Sequence, residues 1–171
     1  VLFPDDQLEI FDYNRLVRDL NGLSSEEFLN QLKTSFSLEL VDFSECRPSK
    51  IRDFSMYLDQ NWYRLTPLSK SRSDDPVKDL DVTILSELIL SPILNLTDLR
   101  KSDRIDFVGG IRGLEELQRR VDSGEMRVAF ALYPVSMDQL LSIADAGEIM
   151  PPKTTWFEPK LRSGLFVHSL D

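Results

Sequence analysis

Apolar and polar positions alternate over residues 8–13, with Leu8 and Ile10 against Glu9, then Phe11 against Asp12. That is the period of a half-buried strand. The spacing then changes: Leu16, Val17 and Leu20 recur at helical intervals before Gly22, which predicts a short helical turn over 14–22. Ser24 and Glu27 form a capping-box pair, and Leu23 and Phe28 are spaced for a hydrophobic staple. A helix therefore starts here, with Phe28, Leu29, Leu32 and Phe36 marking its buried face. Strand period returns over 36–43, where Phe36, Leu38 and Leu40 oppose Ser37 and Glu39. After the SECRPSK loop, segments 52–58 and 62–66 read as a hairpin closed over Asp59, Gln60 and Asn61. Trp62 and Tyr63 fall on opposite faces of its second strand.

Residues 67–80 (PLSKSRSDDPVKDL) are polar, carry two prolines and read as a mobile connector. Asp81 is placed to cap a helix running to about Leu94. Its apolar positions nearly encircle it, so it is mostly buried, with Glu87 on a narrow polar stripe. That acid either faces a pocket or is paired or solvated, and the second reading is favoured because lone buried acids are rare. The last third reads strand (104–108), glycine turn, helix (Leu114, Leu117, Val121) and all-apolar strand (128–132). A helix capped by Ser136 and Gln139 follows, with Met137, Leu140, Leu141 and Ala144 inward. A proline-lysine loop then leads into a final strand around Phe166 and His168. This order predicts at least one right-handed parallel crossover. The fold expected is α+β: a mixed β-sheet with hairpins and a C-terminal β-α-β-α-β unit, helices packed on the sheet.

Composition narrows the function. The formal net charge of −9 argues against direct nucleic-acid binding, which needs a clustered basic patch. The nearest approach to one, Lys70 to Arg72, sits in a serine-rich loop and reads as solvated. A single cysteine, Cys46, excludes an internal disulfide and a cysteine-based zinc cluster within one chain, and suits a reducing cytoplasm. No apolar run approaches the length of a membrane helix.

Four places carry candidate chemistry. In VGGIRG (108–113), the amides of Gly109 and Gly110 with the charge of Arg112 form a candidate phosphate rest. The stretch matches neither of the familiar glycine fingerprints, and composition alone favours a tight structural turn. In MPPKTTWFEPK (150–160), prolines stiffen a loop that presents Lys153, Thr154, Thr155, two aromatics and Lys160, a combination suited to an anionic small molecule. Composition alone would make it a structural loop with solvated lysines. Arg15, after a strand end, suits either a carboxylate or phosphate ligand or an internal acid. His168 has no catalytic or metal-binding companions and reads as structural, and the acid pairs Asp5-Asp6 and Asp74-Asp75 read as solvated loop ends, so no metal site is assigned.

Several separated motifs in order, FDYNRLVRDLNGLSSEEFLNQL, MYLDQNWYRL, LDVTILSELIL, DSGEMRVAFALYPVSMDQLLSIAD and ADAGEIMPPKTTWFEPKLRSGL, resemble the bacterial and archaeal domain-of-unknown-function family 1015. The resemblance implies a protein roughly twice as long, whose N-terminal half carries a D-G-H-H-R-like motif of ParB and sulfiredoxin type. Relatives of that fold include nucleotide-dependent enzymes such as free-serine kinases. The motif is absent here, so the chain looks like the C-terminal half, as the abrupt VLFP start also suggests. Arg15, Lys153, Lys160, Pro151, Pro152 and Gly164 match family motif positions, whereas Asn14 and Ser86 stand where some members carry histidine.

The reading that results divides the chain into a β-rich segment (1–66) continuing an upstream domain, a connector (67–80), and a C-terminal α/β segment (81–171), packed as one unit. In it, Lys153, Arg15, Thr154, Lys160, Gly109, Gly110 and Arg112 contribute to a cleft for a nucleotide or phosphorylated metabolite in a cytoplasmic, kinase-like protein. The alternative is a non-catalytic regulatory module of ParB-like ancestry, serving as a scaffold or homodimer surface.

Overall fold

The computed structural model describes residues 7–69 and 73–160. The VLFP start, Asp5-Asp6, Lys70 to Arg72, Gly164 and the strand expected around Phe166 and His168 lie outside the described residues. Strands are β1 (Glu9–Phe11), β2 (Tyr13–Val17), β3 (Phe36–Val41), β4 (Phe54–Leu58), β5 (Asn61–Pro67), β6 (Ile105–Gly109), β7 (Val128–Ala131) and β8 (Trp156–Glu158). Helices are α1 (Ser25–Leu32), α2 (Asp81–Leu85), α3 (Leu114–Asp122) and α4 (Met137–Asp145).

Six strands form one sheet in the order β3-β5-β4-β7-β2-β6, and β1 pairs with β8 in a separate two-stranded ribbon. The α+β class with helices on a sheet is as expected, but every strand pair is antiparallel. The expected crossover runs from β6 through α3 to β7, two strands that are parallel to each other but not neighbours. β6 and β7, joined through α3, are separated by β2, which pairs antiparallel to both.

That insertion explains the first correction. The segment expected to turn helically over 14–22 is instead β2, bonded on both sides, and the turn follows at Asn21 and Gly22, both with positive φ. Leu16, Val17 and Leu20 satisfy helical spacing, but two flanking strands offer ladder partners that a short isolated helix lacks. The strand expected over 8–13 accordingly splits at Asp12, β1 going to the ribbon and β2 to the sheet.

Strand alternation divides the core. Val17, Phe54, Met56, Leu58, Val128 and Phe130 meet Phe28 and Leu32 of α1, Leu85 of α2 and Ile143 of α4 on one face. Leu16, Tyr57, Trp62, Val108, Ala129 and Ala131 meet Leu114, Leu117 and Val121 of α3 on the other. Trp62 is buried and Tyr63 only half-buried, in line with their opposite faces.

Both capping boxes form: the Ser24 hydroxyl accepts the Glu27 N–H, and that of Ser136 accepts the Gln139 N–H. The hairpin turn is two residues, Asp59 and Gln60 (φ 49° and 62°), and Asn61 already opens β5. Such paired left-handed residues match the twist of the flanking strands.

Two helices differ from expectation. α2 is followed by a π-helical turn over Ser86–Leu90, and its N-cap is Leu80, not Asp81, whose carboxylate instead accepts the Arg52 backbone N–H. Its apolar ring is buried as expected, and Glu87 points to solvent. In α4 the buried residue is Ile143, while Met137 and Leu140 are half-buried and Leu141 and Ala144 are exposed.

Candidate anion-binding cleft

The proline-lysine loop is fixed at both ends. Met150 packs against the larger core, and β8 pairs with β1 through Phe11 with Trp156, Ile10 with Phe157 and Glu9 with Glu158. Between them, the Thr154 hydroxyl donates to the Pro151 carbonyl at 2.6 Å and closes a turn. Lys153 sits in that turn with φ +58°, a backbone state that Cβ-bearing residues rarely adopt. The loop lies beside Tyr13, the first residue of β2, and the two enclose a cleft of about 700 Å³.

Aromatic rings line it. Tyr13 meets Trp156 edge-on at 5.5 Å between centroids, and Phe107 at 6.0 Å. The Lys160 ammonium stands 3.5 Å from the centre of the Trp156 ring, and the Lys153 ammonium 5.6 Å from that of Tyr13. Both contacts have cation–π geometry. The lining comprises Leu8, Tyr13, Met150, Pro151, Lys153, Thr154, Thr155, Trp156, Phe157 and Lys160. Among these described residues are two lysines and no carboxylate, in a chain whose formal net charge is −9. The nearest acid on the loop, Glu158, is tied to the Trp156 indole N–H at 2.7 Å and borders the adjoining groove.

Arg15 lies behind this wall, not on it. Its side chain is on the same strand face as Tyr13, opposite Phe107 of β6 and Phe130 of β7, and the residue is 2% exposed. The guanidinium donates to the carbonyls of Tyr13 and Lys153, the latter at 3.0 Å, and rests 5.6 Å from the Phe107 ring centre. Its Nε has no partner among the described residues, and burial pulls its pKa down to about 10. The carboxylate of Asp12, the nearest buried acid in sequence, instead accepts from the Asn14 amide and lies against Gly110.

The glycine turn does a different job from the one its sequence suggests. Gly110 donates its N–H to the Asp12 carbonyl at 2.8 Å, and a Cβ on Gly110 would lie 2.0 Å from the Asp12 carboxylate. A Cβ on Gly109 would meet the Trp156 ring at 2.6 Å. These glycines admit a carboxylate and an indole at close range, and a carboxylate at that position opposes a phosphate. Arg112 is exposed and is not among the cleft lining.

Burial pushes the Asp12 carboxyl up, while the Asn14 amide, which donates to it, works the other way. The Asn14 carbonyl oxygen also accepts the Leu132 N–H at 3.1 Å, and the Ser86 hydroxyl donates to the Val82 carbonyl at 2.8 Å. Neither position where histidine was expected in some relatives lines the cleft.

The structure therefore brings Lys153, Thr154 and Lys160 together, places Arg15 behind them, and leaves Arg112 apart. Thr154 is buried, with its hydroxyl proton committed to the turn. Tyr13 and Leu8 were not singled out as cleft residues. The signal for Tyr13 is visible once 13–17 is taken as a strand, because Tyr13 and Arg15 then share a face. Among the described residues no group of three or more histidine, cysteine, aspartate or glutamate side chains is placed to hold a metal ion, and no helix is long and apolar enough to cross a membrane.

Fold and cleft thus define an α+β protein with an antiparallel sheet and, beside the first residue of β2, a cleft lined by two lysines and aromatic rings. Residues 1–83 match the family described as "Protein of unknown function (DUF1015)", which bears out the family resemblance of the sequence. A comparison with curated proteins gives no match.

Among solved structures, the chain is similar to a mutant free serine kinase in complex with AMP (TM-score 0.53, 13% identity, covering 90% of this chain and 55% of that one). It is similar to a free serine kinase in complex with AMP to a like degree (TM-score 0.51, 14% identity, 90% and 55%). A conserved hypothetical protein from Pyrococcus furiosus also matches (TM-score 0.53, 15% identity, 90% and 57%). At these identities the likeness is one of fold, and the chain spans little more than half the length of each. The ParB-like alternative finds no support in these comparisons.

Proposed function

We propose that the cleft between Tyr13 and the 150–160 loop binds a phosphate-bearing small molecule, a nucleotide in the first instance, as part of a kinase-like protein. The observation that carries this reading is the lining: two lysines from one stiffened loop, over two aromatic rings, with no acid among them. Lysine ammonium groups supply point charges for phosphate oxygens, and the rings offer flat apolar surface to a base. The fold likeness to kinases solved with AMP supports the same ligand class.

The lysines now lie over the rings. An arriving anion exchanges a weak ring contact for a charge-assisted hydrogen bond of about 1.5–3 kcal/mol each. Calorimetric titration with AMP, ADP and ATP tests the reading, on the wild type and on Lys153→Ala. The expected result is binding by the wild type that weakens by about ten- to a hundredfold in the variant, the equivalent of that one contact. Equal affinity in both would remove Lys153 from the site.

A further inference from the structure

Arg15 presents a problem that the cleft itself does not solve. It is a charged side chain in the middle of β2, between the Phe107 and Phe130 positions of the neighbouring strands. No carboxylate pairs with it among the described residues, and one of its nitrogens bonds to nothing there. An apolar side chain would fill such a place without desolvating a charge. Arg15 is not among the residues that line the cleft.

Its two hydrogen bonds end on the two segments that make the cleft. It donates one to the Tyr13 carbonyl in β2 and the other to the Lys153 carbonyl in the loop. Lys153 is also the loop residue with a left-handed backbone, which holds only where surroundings over-determine it. Two restraints meet there: the Thr154 hydroxyl on the Pro151 carbonyl, and the Arg15 fork on the Lys153 carbonyl.

We infer that Arg15 is a positioning residue: its guanidinium locks the Lys153 peptide in the left-handed state and so stands the Lys153 ammonium over Tyr13 at the cleft wall. The inference rests on the reading of the cleft as an anion site, but its first test needs no ligand. Arginine suits the task because a planar fork reaches two carbonyls at fixed angles. A lysine at this position would keep the charge and lose the fork.

The experiment is NMR of the full chain, with the one-bond Cα–Hα coupling of Lys153 reporting the sign of its φ, in the wild type, Arg15→Lys and Arg15→Met. Lys153 is expected at positive φ in the wild type and released from it in both variants, with the amide resonances of α3 and β3, which lie away from Arg15, unmoved. If Arg15→Met fails to fold, Arg15→Lys alone decides. Retention of positive φ in a folded variant would overturn the inference.

ADP titration adds a second reading. Arg15→Met and Lys153→Ala are each expected to weaken binding at least tenfold, and the double variant no further than Lys153→Ala alone, since Arg15 acts through Lys153. Additive losses would make Arg15 an independent contact and also overturn the inference. Absence of ADP binding by the wild type would instead remove the nucleotide reading of the cleft, leaving the Lys153 conformation to decide the role of Arg15.

Discussion

Asp81 offers a prediction in which burial and charge oppose each other measurably. It is the first residue of α2 and 6% exposed. Its carboxylate accepts the Arg52 backbone N–H at 3.0 and 3.2 Å, made reachable by the left-handed φ of 70° at Arg52. The Arg52 guanidinium is 4.0 Å away and bonds more closely to Asp79. Burial dominates: it pushes the Asp81 carboxyl up to about 6, against the Arg52 contacts and with the help of neighbouring Asp79 and Asp53.

An unfolded aspartate titrates near 3.9, so the difference of about two pH units is worth about 3 kcal/mol. The folded state holds the proton more tightly. This contribution to stability is therefore fully present below about pH 4 and is lost as pH rises through about 6. Asp81→Asn removes the charge and keeps an oxygen for the Arg52 N–H. Its cost is an ion pair at the limit of range, about 0.5 kcal/mol.

The variant is thus expected to be about 2–3 kcal/mol more stable than wild type at pH 7.5, with the advantage vanishing near pH 4. Urea unfolding followed by tryptophan fluorescence at pH 7.5, 5.5 and 4 measures it. Asp19, Asp59, Glu116 and Glu125 are held below the usual carboxylate range by bonds from Arg104, Arg127, Arg119 and Arg120, and they stabilise in the opposite pH sense. They cancel in the difference between the two proteins. A variant less stable than wild type at pH 7.5, or a difference independent of pH, would refute the reasoning.

Gly110→Ala places a Cβ 2.0 Å from the Asp12 carboxylate and should cost about 1–3 kcal/mol in the same unfolding assay. Gly109→Ala, against Trp156 at 2.6 Å, should additionally shift the tryptophan emission, since it displaces the indole. Ser24→Ala removes one half of a capping box and should cost about 1 kcal/mol, with amide exchange quickened in the first turn of α1. Lys153→Gly and Lys153→Ala should weaken nucleotide binding alike. The glycine variant should be the more stable by about 1 kcal/mol, because only glycine adopts the φ of +58° freely.

Much of the local structure was legible. The two capping boxes, the amphipathic stripe of α3 and the all-apolar run of β7 are signals between residues a few positions apart, and each appears as expected. The 150–160 loop was also legible as a candidate site, because prolines, lysines and aromatics lie adjacent in sequence. The roles within it were not. Arg15 was placed among the ligand contacts and lies behind the wall. The glycine turn was placed as a phosphate rest and instead admits Asp12 and Trp156.

By itself, then, the sequence determined where α1 and α4 start, that β7 is buried on both faces, and that two lysines and two aromatics lie together in one stretch. These depend on backbone groups and side chains bonding or packing within a turn or two. Only the tertiary structure decided that residues 13–17 form a strand, that the sheet is antiparallel, and that Arg15 reaches a carbonyl 138 positions away. The physical reason is that helical and strand spacing of Leu16 and Val17 are equally satisfied locally. The choice falls to β6 and β7, whose ladders β2 completes, and nothing within the segment encodes their arrival.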